Sequence, residues 1–281
     1  MSDLPAPYSE RDAAPFSPSG AIYFMNGYSD ATITLRGSHE ELFLAFRDEN
    51  TSIAASAPRL YDKEALEAGL YVPVPPPLLA EAFYPHDTPD EYRRPTTLHL
   101  MQVVSMNMRA EDSSSRLLIG LPYAESYPEL FYSAPNFDGT PRDASSYGVV
   151  QSLLEPEGAI SPEEARAQFG YPARSFFGIF HIIETPAGNF FNKKPTQMEL
   201  QPDRDGKLAL KLPPIPFEYT LLNGPIPLYD VKNPNGEPVA DVKVAHHNSK
   251  EEASGPTDEA WPWHRPDLAE IERRTVKDGT S

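Results

Sequence analysis

The sequence predicts a mostly β protein, built as an antiparallel β-sandwich or as barrel-like sheets, with few short helices and extended terminal arms. Short runs of aromatic and β-branched residues alternate with Gly, Pro and Asn turns, which is the pattern of many short strands. Helix signals are scarce. Proline makes up 32 of the 281 residues. Because proline is excluded from helix interiors and central strands, this abundance favours short strands and long ordered loops.

Composition and charge narrow the classes of partner. There are 41 acidic and 24 basic residues, which gives a net charge of −17. This charge opposes binding to nucleic acid, which depends on cationic contacts to phosphate, and binding to an anionic membrane surface. The absence of cysteine excludes disulfides and thiolate chemistry. No secretory signal and no apolar run of about 20 residues is found, so we expect a cytoplasmic protein without a membrane span.

Changes in composition divide the chain into arms, β regions and a connector. The two ends are polar and carry few periodic apolar residues, so we expect them to be extended arms. Ser161 is the N-cap of a short predicted helix that Gly170 terminates. The predicted parts are an N-terminal arm (1–20), a first β region (21–153), a helical connector (154–172), a second, sandwich-like β region (173–248) and a polar C-terminal arm (249–281).

Turn residues separate the strand candidates of the first β region. We expect turns at Asn26-Gly27 and at Arg36-Gly37-Ser38. The longest candidate, Thr96–Met108, carries His99, which lines a cavity or faces solvent. A polar loop then leads to a partner strand at Arg116–Leu121. The shorter predicted strands are Ala21–Met25, Ala31–Arg36 and Leu42–Phe46.

An aromatic segment, Pro122–Ser145, follows the first pair of long strands. We expect it to be irregular, and an irregular segment of this length inside a compact domain is usually functional or lies in an interface. Its rings supply a large contact area with polar tips. We expect it to pack on the sheet that contains the run from Phe176 to Ile183. The aromatic residues predicted to contact a ligand or another subunit are Tyr123, Tyr127, Phe131 and Tyr132.

The run from Phe176 to Ile183 is the densest apolar stretch of the chain and predicts a central strand. Alternation places Phe177, Ile179, His181 and Ile183 on one face, and Phe180 and Ile182 on the other. His181 is therefore predicted to be buried. It is either a core residue with hydrogen-bonded ring nitrogens, or a metal ligand or general base.

Hairpin signals organise the second β region. Thr185-Pro186-Ala187-Gly188 has the residues of a turn, and Asp205-Gly206 marks another. The segment Asn235–Val244, NGEPVADVKV, resembles a hairpin that is common in transthyretin-like and related Ig-like β-sandwich modules. This resemblance favours a sandwich and carries no function. The predicted strands are Asn189–Asn192, Phe217–Leu222, Ile226–Val231 and Val239–His247, with a further hairpin over Met198–Leu212.

Two functional hypotheses remain, because Gly-rich phosphate loops, GxSxG and HExxH are all absent. The first is a non-enzymatic binding or assembly protein without a cofactor, in which the aromatic segment, His181 and His99 contact a small molecule or a subunit of a homo-oligomer. The second is a metal-dependent or acid–base enzyme with His99, His181 and either His246 or His247 in a β cavity; of the last two, His246 is the one assigned to a metal site. His246 and His247 are adjacent on a predicted strand, so they point to opposite faces. We favour the first hypothesis.

Overall fold

A computed structural model describes residues 14–15, 21–48, 52–56, 98–111, 114–132, 134–135, 141–142, 144–153, 170–208, 218–222 and 224–257. Several predicted parts lie largely outside these ranges: the N-terminal arm, the helical connector with its helix at Ser161, and the C-terminal arm beyond residue 257. The expectation that the arms support a homo-oligomer therefore stays a prediction.

The described chain is mostly β and forms an antiparallel eight-stranded barrel with two short helices. The predicted fold class is confirmed, and of the two predicted architectures the structure has the barrel. Three long strands, β2 (Ala21–Leu35), β5 (Leu98–Ala110) and β17 (Ala240–Thr257), each fill one position in the barrel wall. Each remaining position holds two shorter strands in line. These pairs are β3 (Glu41–Asp48) with β4 (Ser52–Ser56), β6 (Arg116–Gly120) with β9 (Ser146–Ser152), β11 (Ala173–Ile179) with β12 (Ile182–Thr185), β13 (Gly188–Asn192) with β14 (Thr196–Leu200), and β15 (Glu218–Leu221) with β16 (Ile226–Asp230).

Neighbouring wall positions follow the order of the chain, and β17 closes the barrel by pairing with β2 from Ala240↔Leu35 to Thr257↔Ile22. Closure leaves no free sheet edge along this seam. Strands from both predicted β regions share the sheet, since β9 pairs with β11. Two-residue strands form separate small sheets: β1 (Ala14–Pro15) with β10 (Gly170–Tyr171), and β7 (Ala134–Pro135) with β8 (Pro141–Arg142).

The closing strands correct two predictions. Asn26-Gly27 is not a turn but lies within β2, where a Cβ on Gly27 would stand 2.6 Å from the carbonyl oxygen of Asn248. Glycine here permits a close approach of two backbones, which has the same sequence signal as a turn. The strand predicted to end at His247 continues to Thr257, with register shifts that break the alternation on which the prediction relied.

The central run is also corrected, because the predicted single strand is interrupted at Phe180 and His181. Side chains replace the missing ladder bonds. The Ser146 hydroxyl donates to the carbonyl oxygen of Phe180 at 3.1 Å and accepts from its N–H at 2.9 Å. Asn192 Oδ1 accepts from the N–H of His181 at 2.9 Å. The predicted turn after Thr185 is confirmed, with β12 and β13 as its hairpin.

The predicted faces of the run survive the interruption. Phe177, Ile179 and Ile183 pack into the interior of the barrel, and Phe180 and Ile182 pack into a second cluster on the other side of the wall. Interior side chains beside the turns that follow β2, β5, β12 and β16 include several with no exposed surface: Ile33, Met108, Leu228 and Ala240. On the outer side of the wall, Leu118 and Ile182 are equally buried.

Two helices, α1 (Leu121–Ser126) and α2 (Pro128–Phe131), lie between β6 and β9. They correct the expectation that this segment is irregular. Each has a proline in its first turn, where the missing N–H has no intrahelical partner to lose. Neither described helix has the length and hydrophobicity that crossing a membrane requires.

Candidate functional site

Polar side chains face the interior in the half of the barrel opposite the turns that follow β2, β5, β12 and β16. Tyr219 is directly opposite His247, and His247 is directly opposite Ser29. Directly opposite residues of antiparallel strands point to the same face. The Tyr219 hydroxyl donates to Ser175 Oγ at 2.8 Å, and Ser29 Oγ lies 2.8 Å from His247 Nδ1. We call Ser175, Tyr219, His247 and Ser29 the interior polar row.

Apolar residues next to the row keep open surface although they face inward. Phe177, Leu221 and Ala245 lie two residues from members of the row and so share their face. All three pack against the interior core and are nevertheless half-buried only. Ser175 and Tyr219 are closed, with exposed fractions of 1% and 6%. These half-buried apolar side chains therefore face the barrel interior beside the interior polar row.

The ring of His247 lies in desolvated surroundings. Burial lowers the pKa of His247 to about 4, although the residue as a whole is half-buried. His247 is therefore neutral at pH 7. Burial also raises the pKa of Tyr219 far above its ordinary value, so that its hydroxyl keeps its proton.

Two glycines leave room for the rings of Phe177 and His247. Gly148 is directly opposite Phe177, and a Cβ there would stand 2.4 Å from Phe177 Cδ1, so the ring lies over the glycine. A Cβ on Gly27 would come within 3.2 Å of His247 Cε1. Phe177 also meets the Tyr219 ring edge-on, with centroids 5.5 Å apart.

The aromatic segment covers the outer wall. Tyr123 and Phe131 are buried at 1% and 6% exposure and meet edge-to-face, with centroids 5.3 Å apart. They pack against Leu118 and Ile182, whose chain neighbours face the interior core, so this cluster is on the outside. The segment does pack on the strand of the central run, as predicted. Tyr132 is 64% exposed and contacts the ring of Phe131.

Tyr127 fastens the helices to the β12–β13 hairpin. Its hydroxyl donates to Glu184 Oε1 at 2.6 Å and accepts from Asn189 Nδ2 at 2.9 Å. Arg116 is 3.6 Å from the same carboxylate. Burial and the bond to Glu184 raise the pKa of Tyr127 to about 12. These contacts give Tyr127 a structural part in holding the helices to the barrel.

His181 is buried, at 5% exposure, as predicted. Burial lowers its pKa to about 4, against a smaller effect of a hydrogen bond to the backbone of Ile179. Its Nε2 has no hydrogen-bond partner among the residues that the structure describes. The ring is thus neutral and only partly paired, which differs from a core histidine with both nitrogens bonded.

The histidines of the predicted metal site occupy different surroundings. His246 is on the outer face, where its Nδ1 lies 3.3 Å from Asp30 Oδ2 and 3.4 Å from Glu218 Oε1. The backbone of His99 pairs with Val150, and its side chain is outside the described part of the chain. Within the described ranges, no three His, Cys, Asp or Glu side chains could hold a metal ion together.

Of the interior polar row, only His247 was among the residues considered from the sequence, as the alternative to His246. Alternation correctly predicted that the two point to opposite faces. Tyr219 and Ser175 lie on different strands, and nothing in the sequence indicates that they meet. The available signal was the position of Tyr219 and His247 on inward-facing registers of predicted strands.

No protein-family model matches the chain, and no curated protein sequence matches it. The chain is similar in structure to DynF from the dynemicin biosynthesis pathway of Micromonospora chersina, with a TM-score of 0.50. The match covers 90% of this chain and 92% of DynF at 14% sequence identity. At this identity the similarity shows the fold alone.

Proposed function

We propose that this protein binds a small, largely apolar molecule inside the barrel and does not transform it. One observation carries the proposal: His247, Phe177, Leu221 and Ala245 face inward beside the interior polar row and are only half-buried. Barrels of eight strands have an interior of the size that holds one small ligand. An apolar lining with a few fixed polar groups is the usual composition of a small-molecule site.

The electrostatics of the row favour binding over catalysis. Ser29 and His247 are within hydrogen-bond distance, as a nucleophile and its base would be. An imidazole whose pKa is lowered to about 4 is a weak base, however, and a general base works best when its pKa is near the operating pH. The pair is better suited to orienting a ligand. DynF shares the fold and comes from a biosynthesis pathway, but the proposal rests on the interior of this barrel.

The test uses Nile red, a neutral dye whose emission rises in apolar surroundings. Ala245→Phe places a ring in the proposed cavity. Val244→Phe is the matched control, because Val244 is the preceding residue, is 40% exposed and lies on the outer face. Circular dichroism verifies that both variants keep the barrel.

We expect saturable Nile red binding at one site per chain in the natural protein and in Val244→Phe, and a loss of affinity of at least about tenfold in Ala245→Phe. No saturable binding by the natural protein would contradict the proposal. Equal affinity in both variants would place the dye outside the barrel and contradict it as well.

A further inference from the structure

The interior polar row has more donor hydrogens than internal acceptors use. The Ser29–His247 pair carries two polar hydrogens, one on the hydroxyl and one on the neutral imidazole, and has one mutual hydrogen bond. One donor is therefore left over, whichever nitrogen carries the hydrogen. The Tyr219–Ser175 pair likewise has two hydroxyl hydrogens and one mutual bond. No further partner of these four side chains occurs among the described residues.

The position of the leftover hydrogen on the first pair can be assigned. If His247 Nδ1–H donated to Ser29, the buried Ser29 hydroxyl would have no acceptor in the described structure. If Ser29 donates to Nδ1, the hydroxyl is satisfied and the hydrogen of the ring is on Nε2. Because buried donors are rarely left unpaired, the second arrangement is the favourable one. Nε2–H is then the donor that the Ser29–His247 pair leaves available to a ligand, as far as the described residues are concerned.

Charge in the barrel interior opposes an anionic ligand. The described interior positions around the row hold no lysine or arginine. The Asp48 carboxylate also faces inward there, because Asp48 is opposite the interior residue Met108 and accepts from the N–H of Gly27 at 2.6 Å. A carboxylate or phosphate placed there would lose its hydration without gaining an opposite charge, which is strongly unfavourable.

We infer that the ligand is a mainly apolar molecule without an anionic group and with an acceptor oxygen of the ketone or ester carbonyl type, which accepts a hydrogen bond from His247 Nε2–H. This inference rests on the proposed function and adds the ligand's chemistry to it. The apolar body of the ligand packs against Phe177, Leu221 and Ala245, which lie on the same face as the polar row.

The test compares three probes that share a two-ring skeleton, each measured by displacement of Nile red. Benzophenone has a carbonyl, diphenylmethane has a methylene at the same place, and diphenylacetate adds a carboxylate. His247→Phe removes the donor, and His246→Phe is the matched control on the outer face. His247→Gln restores a side-chain N–H donor.

We expect the natural protein and His246→Phe to prefer benzophenone over diphenylmethane by about tenfold, the effect of one buried hydrogen bond. His247→Phe should lose this preference, His247→Gln should regain part of it, and diphenylacetate should be the weakest probe. Equal affinity for benzophenone and diphenylmethane in the natural protein would overturn the inference without any variant. A preference kept by His247→Phe, or tightest binding of diphenylacetate, would also overturn it. In each of these cases Nile red still binds, so the proposed function survives; if the dye does not bind at all, the proposed function fails first.

Discussion

Asn192→Ala should be among the most destabilising single substitutions in the described chain. Asn192 is 2% exposed and joins two interrupted wall positions. It accepts from the N–H of His181 at 2.9 Å and donates to the carbonyl oxygens of Ile179 at 2.7 Å and Lys194 at 2.8 Å, with Thr196 Oγ1 3.3 Å away. Alanine leaves at least one donor and one acceptor buried without a partner.

The magnitude follows from those groups. An unsatisfied buried polar group costs about 1–3 kcal/mol, so the two together lower the free energy of unfolding by about 3–4 kcal/mol. This is a large share of the roughly 5–15 kcal/mol typical of a domain. Urea unfolding, followed by circular dichroism, should show this loss of stability as a lower urea midpoint. The slope of the free energy against urea concentration should be unchanged.

Asn189→Ala is the matched control. Asn189 is on the same hairpin strand, but its amide makes one partly buried bond, to the Tyr127 hydroxyl. We expect it to lower the free energy of unfolding by no more than about 1 kcal/mol. If Asn192→Ala lowers the free energy of unfolding no more than this control does, Asn192 does not stabilise the strand interruptions and the prediction is wrong.

Two further predictions concern pH and the outer wall. The pKa values of His181 and His247 are lowered to about 4 in the folded protein, from 6.5, so the unfolded chain binds more protons between these values. The free energy of unfolding should be constant above pH 6.5 and fall towards pH 4 by about 3 kcal/mol for each ring, as urea midpoints will show; a loss that is unchanged in the His181→Phe/His247→Phe variant would contradict the assignment. Tyr127→Phe should lower the free energy of unfolding by about 1 kcal/mol and leave Nile red affinity unchanged, because its bonds to Glu184 and Asn189 are on the outer wall. Loss of dye binding in this variant would indicate that the ligand binds at the aromatic segment and not inside the barrel.

Local patterns predicted the parts of the fold that depend on local physics. The turn after Thr185 follows from its proline and glycine, and it forms as expected. Alternation assigned Phe177 and Ile183 to one face and Ile182 to the other, and it separated His246 from His247. These assignments need only the two-residue period of a strand.

Features that depend on residues far apart in the sequence could not be predicted from local patterns. The break at Phe180 is stabilised by Ser146, which is 34 residues away in sequence. Gly27 gave a turn signal, but its role is a close approach to Asn248 on the closing strand. Ser29 and His247 of the interior polar row meet because β2 and β17 pair at the seam of the barrel. The two strands are far apart in the sequence, so no local pattern predicts this contact.

Binding of a ligand inside the barrel is tested most directly by locating a bound apolar molecule in a crystal. A heavy-atom analogue such as iodobenzene, soaked into crystals, reveals its position by the anomalous scattering of iodine. We expect a peak inside the barrel, in contact with Phe177, Leu221 and Ala245 and within reach of His247. A peak on the outer wall beside Tyr127 and Tyr132, with none in the interior, would contradict it.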